Sequence, residues 1–196
     1  MMQVGDVRGY LLFAGENRCA MALDALGEQL IARGVVSIVR ARRDADFGEM
    51  IDDARNAFVN FSHLAERVTV IGQNEGVLMA LAVAEGYPVE ALVCLDVVLR
   101  PRKQRYALMH LARHVRRNLF SVVAPTLIVQ ALDAPTSDPT DARTLYQGIG
   151  ARRAKLMWIK RADALRDKAV LETIIQQTCH INDTGSLAKG HDLCII

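Results

Sequence analysis

The residues best spaced for chemistry lie in the run Val68-Thr-Val-Ile-Gly-Gln-Asn-Glu-Gly76, where a β-branched stretch meets two glycines and then a helix of small and apolar residues. Strand, Gly-x-x-x-Gly and helix together form the setting of a nucleophile elbow, Gly-x-Ser-x-Gly, whose sharp turn lifts the central side chain above a sheet edge. The glycines Gly72 and Gly76 are in place, but the central residue is Asn74. Asparagine tolerates the left-handed backbone region, so the turn survives the replacement, while a carboxamide is no nucleophile. Asn74 as a turn residue without chemistry stands beside any chemical reading. Four carboxylates, Glu16, Glu75, Asp133 and Asp163, could gather at the same sheet edge. They read either as acid–base groups or as solvated loop and capping residues.

Two further groups could bind ligands. His110 and His114 are four apart, a helical spacing that can place two imidazoles on one metal. No third ligand accompanies them and their segment is cationic, so no metal or other cofactor is expected. Arg100, Arg102, Lys103, Arg105, Arg113, Arg116 and Arg117 form a basic stretch without an acidic residue between them. Such a run is either a solvated helix face or a site for an anion.

The elements that must position these residues alternate in type. Strands are predicted at 10–14, 35–39, 68–72, 91–98, 127–130 and 155–159, and helices at 21–32, 47–64, 77–84, 103–119, 140–149 and 168–179. Met50, Ile51, Ala54, Phe58 and Phe61 set the helical period in the second helix, and Gly34 and Gly86 stop the first and third. Strands alternating with helices imply an α/β fold, a three-layer α/β/α sandwich around a mostly parallel sheet. Residues 1–181 are read as one domain and 182–196 as a polar, loose tail.

Composition narrows the classes. The 196 residues are 51% hydrophobic and 23% charged, with a formal net charge of +2, which suits a globular domain and gives no overall nucleic-acid signature. No apolar run reaches the roughly 20 residues of a membrane span, and the start lacks a signal-peptide pattern. Cys19, Cys94, Cys179 and Cys194 are widely spaced, without a C-x-x-C pair, and read as reduced thiols. A cytoplasmic location follows as an expectation.

The order of motifs resembles the carboxylesterase and monoacylglycerol-lipase branch of the α/β-hydrolase family. The resemblance covers roughly residues 10–180. It rests on Leu11-Leu-Phe-Ala-Gly-Glu16 at the oxyanion turn, the glycine pair, Ala124-Pro-Thr-Leu-Ile-Val-Gln130, then Asp133, Pro139, Ala142, Leu145 and Tyr146, and Lys155-Leu-Met-Trp-Ile159. It implies that Asn74 stands at the nucleophile position, Asp133 at the acid, Asp163 near the histidine, and Glu16 and Glu75 at the oxyanion donors. Serine and histidine are both absent there, and Ala14 replaces the histidine of the oxyanion turn. The stretch from Val98 to Pro125 holds little beyond one helix, a minimal cap. The resemblance then implies a pseudo-hydrolase that binds a small molecule or a protein; the alternative is an esterase-like enzyme with altered catalytic groups. Apolar surface bared by a reduced cap is compatible with a homodimer.

Overall fold

The computed structural model of the protein describes residues 7–15, 20–42, 44–101, 106–183 and 193–195. Among these described residues, seven strands form one all-parallel sheet: β1 (Arg8–Ala14), β2 (Val35–Arg40), β3 (Arg67–Gln73), β4 (Ala91–Leu95), β5 (Thr126–Ala131), β6 (Ala154–Ile159) and β7 (Leu193–Ile195). Six helices connect them: α1 (Ala20–Ile31), α2 (Phe47–Ser62), α3 (Gly76–Gly86), α4 (Tyr106–Asn118), α5 (Pro139–Gly148) and α6 (Lys168–Asp183). The spatial order is β2-β1-β3-β4-β5-β6-β7. The chain winds outward in one direction from β1 to β2 and in the other from β3 onward. Clefts form naturally at such a switch, beyond the carboxyl ends of the strands.

The period-two pattern of each strand divides the core. Leu11, Phe13, Val70, Leu92, Cys94 and Ile128 join the cluster covered by α2, α3, α4 and α5. Leu12, Ile71, Val93, Leu127, Val129 and Ile159 face α1 and α6. Burying one such leucine fully stabilises the fold by about 2 kcal/mol. Helix α3 is apolar all round because it lies beneath α2 and α4; every residue from Gly76 to Ala84 is buried. The start of α2 is fixed by a capping box in which Asp46 accepts from the Glu49 N–H and Glu49 accepts from the Asp46 N–H.

Three expectations change. Strand β4 stops at Leu95, three residues early, because Asp96 turns into the left-handed region with φ 48°. Helix α4, expected as the minimal cap, packs into the helical layer through Leu108, Leu111, Ala112 and Val115. A seventh strand, absent from the predicted set, pairs with β6 over Leu193–Ile195, and α6 continues to Asp183. Among the described residues no helix is long and apolar enough to cross a membrane.

Candidate functional site

The junction of β3 and α3 is a strained turn with Asn74 at its apex. Asn74 has φ 53° and is 4% exposed. Both neighbouring glycines are sterically required. A Cβ at Gly72 would lie 2.6 Å from the Val77 Cα, and one at Gly76 would lie 2.1 Å from the Phe13 carbonyl oxygen. The backbone thus folds back on itself and α3 begins against the end of β1. Hydrogen bonds fix the turn: the Asn74 N–H donates to the Leu95 carbonyl at 3.0 Å, and the Val77 N–H donates to the Asn74 carbonyl at 3.1 Å.

The Asn74 side chain is occupied. Its Oδ1 accepts a hydrogen bond of 3.0 Å from the Thr136 hydroxyl, which comes from the loop after β5. Beside it, the Glu75 N–H meets no acceptor among the described residues, as an oxyanion donor would. The Glu75 carboxylate, however, crosses towards the end of β1: its Oε2 would lie 2.5 Å from a Cβ at Gly15. That oxygen is buried and has no hydrogen-bond partner among the described residues. Glu16, the other expected oxyanion position, lies outside the described residues.

Asp133 and Asp163 come from adjacent loops and are engaged locally. Asp133 is exposed, and its Oδ1 accepts from the Ala162 N–H at 2.6 Å, pinning the loop after β5 to the one after β6. Asp163 is also exposed and holds the Arg161 guanidinium through two contacts of 3.1 and 2.8 Å. Neither carboxylate bonds Asn74, whose partner is Thr136.

A carboxylate that the sequence reading missed sits closer to the elbow in the sheet. Asp96 follows Leu95, the residue that bonds the Asn74 N–H, and is 5% exposed. Its Oδ1 accepts from the Ala131 N–H at 3.0 Å. Burial, with a smaller contribution from Asp133, raises its pKa to about 6, against the lowering effect of the Ala131 hydrogen bond. The signal available in the sequence was an acid directly after a short apolar strand. Gln130 and Asp141, also unforeseen, brace the loop that follows. Gln130 Oε1 accepts from the Val97 N–H, while its Nε2 donates to the Ala131 carbonyl and to Ser137 Oγ. Asp141 is buried and accepts from the N–H groups of Leu99 and Arg100 and from Arg100 Nε.

The basic stretch is divided accordingly. Arg100 is bound to Asp141 at 2.7 Å. Arg102, Lys103 and Arg105 lie outside the described residues. Arg113, Arg116 and Arg117 are exposed on α4. His110 and His114 share a face of α4, but His114 bonds Glu85 at 3.0 Å. Among the described residues no group of three or more His, Cys, Asp or Glu side chains could hold a metal ion.

No protein-family profile matches the chain, and no curated protein does. Solved structures match over nearly the whole length. Est1E from Butyrivibrio proteoclasticus superposes with a TM-score of 0.70 at 15% identity, covering 91% of this chain and 90% of that one. Paleococcus ferrophilus monoacylglycerol lipase gives 0.72 at 11% identity, covering 88% and 94%. A soluble variant of monoglyceride lipase from Saccharomyces cerevisiae gives 0.72 at 9% identity, covering 91% and 88%. With the parallel sheet and the elbow, these likenesses establish that the chain adopts the α/β-hydrolase fold. Its structural neighbours are esterases and monoacylglycerol lipases.

Proposed function

We propose that this α/β-hydrolase-fold protein is a pseudo-hydrolase, a binding or interaction protein whose elbow no longer performs acyl transfer. The observation that carries the reading is the apex of the elbow, where an asparagine amide accepts a hydrogen bond from Thr136. A serine hydrolase needs an activated nucleophile there and an imidazole to shuttle its proton. The loops after β1 to β6, residues 15–19, 41–46, 74–75, 96–105, 132–138 and 160–167, contain no histidine. Their one serine, Ser137, is buried and bonded to Gln130.

Electrostatics favours the same reading. An oxyanion hole works by directing fixed positive dipoles at developing negative charge. Here Glu75 projects its carboxylate across the Gly15 turn, and Asp96 and Asp133 are near enough for each charge to oppose the other. The edge therefore suits a neutral or cationic ligand better than an acyl group passing through an oxyanion. Covalent labelling tests this. Intact-mass analysis after incubation with an alkyl fluorophosphonate is expected to show unmodified protein; an adduct mapped to residues 68–78 would contradict the proposal.

A further inference from the structure

A second polar cleft lies on the flank of the molecule, between α2 and α4. It encloses about 300 Å³ and is lined by Phe47, His110, Arg113, His114, Arg117 and Asn118. Five of these residues fall at helical spacing on one face of α4, so their side chains converge on the start of α2. Phe47 supplies the opposite wall, with its ring centroid 6.3 Å from His110 and 5.8 Å from His114. The cleft is remote from the elbow. Glu85, which bonds His114, lies nine residues beyond Gly76 along α3, roughly 14 Å at the helical rise.

The arginines of the cleft differ from the others in their pairing. Arg33, Arg40, Arg42, Arg67, Arg100 and Arg161 each have a carboxylate within salt-bridge distance. Arg113 and Arg117 have none among the described residues. Asp46 and Glu49 close the cap of α2, and Glu85 holds His114 without lining the cleft. Two guanidinium groups one helical turn apart, with an imidazole and an amide beside them, form a donor set for a tetrahedral oxyanion. The volume is at the small-molecule end of the range for ligand sites, and Phe47 offers an apolar face next to the donors.

We infer that the α2–α4 cleft is a binding site for a small phosphomonoester, with Arg113 and Arg117 holding the phosphate and Phe47 packing against the organic group. The site is independent of events at the elbow, so it stands whether or not the protein hydrolyses esters.

Calorimetric titration of the full chain with phenyl phosphate at low ionic strength, with inorganic phosphate alongside, tests the assignment. Losing two charge-assisted contacts in the double variant Arg113→Gln/Arg117→Gln should weaken phenyl phosphate binding at least about ten-fold. Arg116→Gln removes an exposed arginine of the same helix that does not line the cleft, and should leave affinity within about two-fold. Phe47→Leu should abolish the preference for phenyl phosphate over inorganic phosphate. All three arginines are exposed, so unchanged thermal melting is expected and would confirm that folding is not at issue. Equal loss in Arg116→Gln, no saturable binding to wild type, or binding of an oligonucleotide without binding of phenyl phosphate would each overturn the inference.

Discussion

Asn74 and Asp96 are the non-glycine residues with positive φ among those described, and they terminate adjacent strands. The left-handed conformation costs an ordinary L-residue roughly 1–2 kcal/mol, less for asparagine and aspartate, whose short side chains bond locally. Asn74 therefore suits the apex for reasons of backbone shape, and its type was readable from the glycine spacing alone. Asp96 was not, because Leu95-Asp96-Val97-Val98 reads as a continuing strand and a single left-handed residue leaves no periodic trace. Its carboxyl has a direct consequence for stability. A folded-state pKa of about 6, above the ordinary aspartate value of 3.8, means that the folded protein prefers the protonated acid. The associated stability is fully present below the unfolded pKa and is lost as pH rises through about 6. Asp96→Asn keeps the acceptor for the Ala131 N–H and removes the buried charge. It should raise unfolding free energy at pH 8 by up to roughly 3 kcal/mol, and the gain should vanish by about pH 4. Urea denaturation at pH 8, 6 and 4 measures it; a gain independent of pH would point to another cause.

At the level of elements, the site depends on how closely α3 meets β1 and on how the loop after β4 is tied down. A Cβ at Gly76 would enter the Phe13 carbonyl, which is backbone and cannot rotate aside. Gly76→Ala should therefore destabilise by about 3 kcal/mol, at the upper end of overpacking costs, whereas Gly86→Ala at the far end of α3, where a Cβ would meet only the Arg55 side chain at an ordinary contact distance of 3.7 Å, should be tolerated. Thermal melting of the two variants decides between them. The sharp turn was implied by Gly-x-x-x-Gly, though not its contact with β1, and the strands and helices were legible from their two periods. The bracing was not. Gln130 and Asp141 join residues 33 and 42 positions apart, and nothing local marks either as buried. Arg100 looked like part of a free basic run for the same reason; its partner Asp141 lies in α5. Helix α4 reads as a cap because the resembling family carries one in this stretch, and its apolar stripe identifies a buried face without saying what buries it.

Across the whole molecule, the α/β-hydrolase fold is built by a chain that carries asparagine at the elbow apex and no histidine in the loops after β1 to β6. Fold and activity are separable because the core is specified by buried apolar residues on both sheet faces, while chemistry resides in a few loop positions. Charge is distributed unevenly: Glu75 and Asp96 lie by the elbow, and Arg113 and Arg117 line the α2–α4 cleft without a carboxylate partner among the described residues. This distribution supports the proposed binding role over ester turnover. The most direct test is hydrolysis of p-nitrophenyl acetate and butyrate by the wild type, Asn74→Ala and Asp96→Asn, with the Asp96 variant guarding against water activation by a carboxylate. The account predicts release of p-nitrophenol at the buffer rate in all three proteins. Saturable turnover by the wild type that falls at least about ten-fold in Asn74→Ala or Asp96→Asn, a loss of some 1.4 kcal/mol of transition-state stabilisation, would contradict it.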